Sequence, residues 1–190
     1  PSNFFIFFNK WYKDADIIIL YNTHGGYFSH ILLRFFKKKK IFWRLSDMWP
    51  ITGHCTYSYN CSRWREDECR NCPDLSIYPS LKWDSAHLNY LIKKNVLKNT
   101  DITFIAPSSW TFDLIEKSPI SQHLKKSLIP NGIDQSIFYK RNKLEIEKKL
   151  KIHTSKIIIT FASVDLNDAR KGSIYLYNAL SDLDLTEKIA

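Results

Sequence analysis

Residues 41–73 read IFWRLSDMWPITGHCTYSYNCSRWREDECRNCP. Ile41, Phe42, Trp43 and Leu45 form a short apolar run that ends at Asp47. A run of this length bounded by polar residues reads as a buried strand. A buried strand that delivers a polar residue to its end, then opens into a long pinned loop, is how open α/β sheets build binding clefts. The chain's four cysteines, Cys55, Cys61, Cys69 and Cys72, all fall in that loop, which spans 47–75. The stretch therefore predicts an α/β chain whose function lies at a strand end and in the loop beyond it.

Upstream, residues 17–20 (IIIL) follow the turn Lys13-Asp14-Ala15-Asp16 and predict a second buried strand. It ends in Asn22-Thr23-His24-Gly25-Gly26, a turn that can start a helix. Tyr27, Ile31, Leu32 and Phe35 recur at helical spacing, so 27–36 is predicted helical. The lysines at 37–40 close it, cations being favoured near the negative end of a helix dipole. Downstream, His87, Leu88, Leu91, Ile92 and Val96 predict a helix over 84–97. Residues 102–106 predict a buried strand, and Ser108 or Ser109 is the expected N-cap of a helix over 111–117. A strand over 126–129, a charged helix over 143–150, a strand over 156–162 and a helix over 172–180 complete the pattern. Strands alternating with helices predict parallel βαβ units.

A hydrophobic fraction of 44% against 25% charged fits a globular chain with a real core. The net charge of +9 and pI near 9.3 favour an anionic partner: nucleic acid, acidic lipid or a phosphorylated substrate. No recognition helix, zinc-finger pair or single-strand-binding motif supports nucleic acid. No segment approaches the roughly 20 apolar residues of a membrane-spanning helix. The N-terminal stretch lacks the basic region and cleavage site of a signal peptide. A chain that starts at Pro1 and stops at Ala190 reads as a fragment. The polar, unpatterned stretch near 137–143 is the expected boundary between two α/β parts, 1–137 and 138–190.

Several residues are candidates for chemistry, each with a plainer alternative. Cys-x5-Cys-x7-Cys-x2-Cys suits a structural zinc site, with His54 as an alternative ligand; disulfides or reduced thiols are the other readings. His24-Gly25-Gly26 follows a strand, where glycines let a ligand approach the backbone, or it is a simple turn. Asp47 is placed to act as a base or hold a sugar hydroxyl, or else to cap a turn. Trp49 can stack on a sugar ring or pack beneath the loop. Arg170-Lys171-Gly172 puts two cations at a helix N-terminus, either a phosphate site or a solvated turn. The lysines at 37–40 and Lys125-Lys126 are basic surface, with an anionic membrane as the sharper reading.

In order, DMWPITGHC, the cysteines with CP, IAPSSW, IPNGIDQSIF and ARKG resemble family 4 retaining glycosyltransferases of the GT-B fold, in the bacterial exopolysaccharide and lipopolysaccharide subgroup. The resemblance spans about 16–172 and implies Rossmann-like parallel sheets, incomplete at both ends, facing each other across a cleft. It implies that His24, Gly25, Gly26 and Asp47 line the acceptor side, with Trp49 beside them. Ser108 and Trp110 would follow a later strand, and Asn131 to Asp134 would sit near the hinge. Lys171, helped by Arg170, would neutralise the diphosphate of a nucleotide-sugar donor, with no metal needed for catalysis. The implied acceptor is a glycan or lipid-linked glycan at the cytoplasmic face of the plasma membrane, where the protein is peripheral. Ser46 stands where the family often has histidine, and the family's paired glutamates are absent from this chain. The rival expectation is a non-catalytic, zinc-stabilised module for an anionic polymer.

Overall fold

The computed structural model describes residues 2–36, 39–152 and 157–182. Contacts divide the chain into two compact units, Pro1–Gly132 and Ile133–Ala190. The first unit opens with a 3-10 turn, Ser2–Phe8, and the short helix α1 (Lys10–Asp14). It is then built on four parallel strands in the order of the chain: β1 (Ile17–Leu20), β2 (Lys40–Arg44), β3 (Ile102–Ala106) and β4 (Lys125–Leu128). The predicted α/β class and parallel sheet are therefore present.

Strand β2 lies inside the sheet, with Ile41 facing Ile102 and Trp43 facing Phe104 in register. Trp43 and Phe104 are fully buried and meet edge to face, centroids 5.8 Å apart. Burying such rings supplies about 2–3 kcal/mol each. Strand β1 departs from its expected burial. It is an edge strand among the described residues, and Ile17 and Ile19 remain 51% and 55% exposed. An apolar run can reach a sheet by its backbone while one side of that sheet has no neighbour.

The predicted helix over 27–36 is replaced by a 3-10 turn, His30–Phe35. Gly25 and Gly26 take positive φ (89° and 83°) and Ser29 is extended, so helical geometry starts only at His30. The buried face then carries His30, Leu32, Leu33 and Phe36, while Tyr27, Ile31 and Phe35 face outward. Lys37 and Lys38 lie outside the described residues.

The cysteine loop holds one turn of helix, α2 (Arg63–Glu66), and leads to α3 (Ala86–Lys98). Asp84 starts α3, accepting from the Ala86 N–H through Oδ1 and from the Cys72 N–H through Oδ2. The buried face of α3 carries Ala86, Tyr90, Lys93, Val96 and Leu97, leaving Leu88 and Leu91 exposed. This is a rotation from the expected stripe, because a lysine occupies the core-facing row. Helix α4 (Ser109–Lys117) is capped as predicted by Ser108, whose hydroxyl accepts from the Thr111 N–H at 3.2 Å.

In the second unit, α5 (Lys143–Leu150) and α6 (Ser173–Ser181) match the expected helices. Of the strand expected over 156–162, Lys156 lies outside the described residues, and the described residues 157–162 show only an isolated bridge at Ile157. A β run becomes a strand only where a neighbour completes its ladder, which composition cannot supply.

Candidate functional site

Parallel pairing aligns the carboxyl ends of β1 and β2, Leu20 opposite Trp43. The Trp43 Nε1–H donates to the Tyr21 carbonyl at 3.2 Å and fixes the outgoing chain of β1 against β2. The turn carrying His24 and the turn carrying Asp47 thus leave the sheet side by side.

Asp47 divides its carboxylate between two tasks. Oδ1 accepts the Trp49 N–H at 2.9 Å, closing a local turn, and Oδ2 lies 3.1 Å from His24 Nε2. The pair is partly open to solvent, at 17% and 18% side-chain exposure, so a ligand can reach it. The other His24 nitrogen, Nδ1, is 3.3 Å from the Tyr78 hydroxyl. With Nε2–H donating to Asp47, Nδ1 accepts from Tyr78, and the imidazole is oriented from both sides.

Behind this pair lies an aromatic wall. The indole of Trp49 packs edge-on to His24 at 6.4 Å, and its Nε1–H donates to His30 Nε2 at 3.2 Å. Thr23 Oγ1 lies 3.3 Å from the same nitrogen, and the His30 ring stacks on Trp43. Burial, then the nearby Lys93 charge, hold the His30 imidazole well below its usual range, so it is neutral and acts as acceptor. Lys93 donates to the carbonyls of Trp49 (2.6 Å) and Thr52 (2.9 Å) and sits 3.6 Å over the Trp49 ring. A cavity of about 300 Å³ opens here, lined among others by Gly26, Ser29, His30, Trp49, Asn89 and Lys93.

Five residues expected on the acceptor side, His24, Gly25, Gly26, Asp47 and Trp49, are thus neighbours, Gly25 lying beside the Tyr78 hydroxyl. Tyr78, His30 and Lys93 were not legible as site residues. Tyr78 is 54 positions from His24 in the chain, and lysine is excluded from core faces by any hydropathy rule. Ser108 serves as a cap, and Trp110 stacks on Tyr57 at 5.9 Å beside a smaller cavity of about 220 Å³. Asp134 accepts from the Ser136 N–H at 2.9 Å within the PNGID turn, where the two units divide.

The loop behind the site is held by contacts between backbone groups and the side chains of His54, Cys69 and Cys72. Gly53 donates its N–H to Cys69 Sγ, and a Cβ there would stand 2.4 Å from the Ala86 carbonyl oxygen. His54 donates through Nδ1 to the carbonyl of Pro79, next to Tyr78 in sequence, and turns Nε2 to Cys72 Sγ at 3.2 Å. Cys55, Cys61, Cys69 and Cys72 are free thiols. Among the described residues no group of three or more His, Cys, Asp or Glu side chains is placed to hold a metal ion. Burial pushes the Cys55 thiol up to about 11 and Cys69 up to about 12, so both are protonated at neutral pH.

In the second unit, Arg170 and Lys171 lie in a 3-10 turn (Ala169–Lys171) that leads through Gly172, at φ 73°, into α6. The Arg170 guanidinium forks onto Asp168, with nitrogens 2.6 and 3.0 Å from its two oxygens. That hydrogen bond holds the Asp168 carboxyl below its usual range. The proposed helper cation therefore has a carboxylate partner already, while Lys171 is exposed. Three of the basic-surface lysines have partners: Lys39 donates to the carbonyls of Lys13 and Ala15, Lys125 pairs with Asp101 and Lys126 with Glu116. Among the described residues no helix is long and apolar enough to cross a membrane.

A parallel sheet of this order, with a polar pair beyond the carboxyl ends of adjacent strands, defines a Rossmann-like α/β chain, and that end of the sheet is where open α/β folds commonly form their clefts. Over 146 residues the chain is 26% identical to an Escherichia coli (strain K12) protein described as "Putative colanic acid biosynthesis glycosyl transferase WcaC". That similarity covers 68% of this chain and 35% of the other protein, so the chain spans about a third of the length of the curated relative it matches. No family model and no solved structure matches the chain.

Proposed function

We propose that the chain is part of a retaining family 4 glycosyltransferase, which moves a sugar from a nucleotide-sugar donor to a glycan or lipid-linked acceptor in cell-surface polysaccharide biosynthesis. The observation that carries this reading is the solvent-open His24–Asp47 pair at the sheet's carboxyl edge, beside the Trp49 cavity. Similarity to a protein described as a polysaccharide glycosyltransferase supports it. The arrangement matches the chemistry required: a carboxylate and an imidazole to accept and orient a sugar hydroxyl, and an indole wall against which a pyranose ring packs. Ser46 stands where the family often has histidine, and the imidazole beside Asp47 comes instead from His24, in the loop after β1. On the donor side, Lys171 and the backbone N–H groups at the start of α6 would stabilise the leaving diphosphate electrostatically. The net charge of +9 supports peripheral association with an anionic inner membrane face. Structural zinc in the cysteine loop is not required by any of these roles.

The test is glycosyl transfer by the full-length protein, with UDP-, GDP- and ADP-sugars and lipid-linked acceptors, beside Lys171→Ala. Transfer that falls sharply in the variant, with weakened donor binding, is expected. Absence of transfer, donor hydrolysis and nucleotide binding in the wild-type protein would overturn the proposal.

A further inference from the structure

Lys93 is buried to 2% exposure on the core-facing row of α3. Burial of an ammonium is unfavourable unless its donors are satisfied, and a hydrophobic residue in its place is often as stabilising. A lysine kept in such a position therefore points to a task other than packing. Its contacts converge on one short segment. Two donors go to the Trp49 and Thr52 carbonyls, and the ammonium lies over the Trp49 ring. The peptide N–H of Trp49 holds Asp47 Oδ1, and Asp47 Oδ2 faces His24. Lys93 thus reaches the polar pair through a single residue, while lining the same cavity as Trp49 and His30.

We propose that Lys93 is a positioning residue of the acceptor site: its ammonium fixes the ring and carbonyl of Trp49, and through the backbone of that residue the N–H that orients the carboxylate Asp47 presents to His24. This rests on the acceptor-site reading above. Asp47, Cys55, Cys69 and the His30 ring are the titratable groups that face the ammonium. Methionine at 93 leaves both carbonyls unpaired and frees the indole to tilt, and glutamine is too short to keep both carbonyls and the ring contact together, so acceptor binding weakens while donor binding does not.

The experiment compares wild-type full-length protein with Lys93→Met, Lys93→Gln and Lys93→Arg by ¹⁵N NMR of the indole N–H signals. The Trp49 signal is assigned with Trp49→Phe. In the neutral variants the Trp49 signal should shift while the other indoles hold their positions, and the acceptor KM should rise about tenfold or more at constant donor KM. Lys93→Arg should restore much of both. An unmoved Trp49 signal in a folded neutral variant overturns the inference, as does a uniform shift of all indoles, which marks general loosening. If the wild-type protein transfers no sugar, the acceptor reading fails, and the indole signals still decide whether Lys93 positions Trp49.

Discussion

Replacing Lys93 with methionine should change how stability depends on pH. Burial pushes the Lys93 ammonium down to about 7 from an ordinary value of 10.5. Unfolded lysine keeps its proton up to about pH 10, whereas the folded chain releases it near pH 7. Between these values the unfolded state binds more protons, so this site makes stability rise with pH. The slope approaches about 1.4 kcal/mol per pH unit once the folded site has lost its proton, which integrates to about 2 kcal/mol from pH 7 to pH 9. Below pH 7 the ammonium is charged in both states and contributes no slope. Methionine has no proton to exchange, so the difference in stability between wild type and Lys93→Met should climb by about that amount over the window. Cys55 and Cys69 also titrate at the alkaline end, but they are present in both proteins and largely cancel in the difference. Denaturant unfolding of both proteins at half-unit pH steps, with equal m-values, provides the measurement. Parallel stability curves from pH 7 to 9 would refute the reasoning, and would mean that the Trp49 and Thr52 carbonyls hold the ammonium at its ordinary pKa.

Asp47→Asn retains an oxygen for the Trp49 N–H but removes the anion facing His24. Transfer should fall by about 10²-fold or more with an unchanged melting temperature, whereas near-normal turnover would remove Asp47 from the chemistry. Gly53→Ala would place a methyl 2.4 Å from a backbone carbonyl oxygen at the start of α3, so it should cost about 3 kcal/mol or more in thermal unfolding. Trp43→Ala empties the centre of the sheet and should cost about 3–5 kcal/mol, read the same way. In chelator-treated, reduced protein, Cys69 should be alkylated at pH 8 on the order of 10²-fold more slowly than a free thiol, because so little of it is thiolate. A peptide-mapped alkylation rate equal to that of free cysteine would contradict its burial.

The legible part of the fold was the part governed by local chemistry. The apolar runs at 17–20, 41–45 and 102–106 became strands, and Ser108 capped α4, because short hydrophobic runs and side-chain caps act over a few residues. His24, Asp47 and Trp49 were identifiable as candidates, since polar residues just past parallel strands arrive at the same edge of a sheet. Two failures share a cause. Among the described residues the run at 157–162 forms nothing beyond a bridge at Ile157, and β1 lies at an edge with Ile17 exposed. Whether a β-prone run pairs, and on how many sides, depends on distant segments rather than on its own composition.

By itself the sequence determined an alternating α/β chain with a parallel sheet and the strand ends at which polar residues accumulate. Only the tertiary structure decided that His24 faces Asp47, that Tyr78 closes over His24 from the far side of the cysteine loop, and that α3 turns Lys93 rather than Leu88 or Leu91 into the core. Strand register and helix rotation set those meetings. Each is selected by the packing of the whole first unit, where a buried cation is tolerated because two backbone carbonyls and an indole face are in place to receive it.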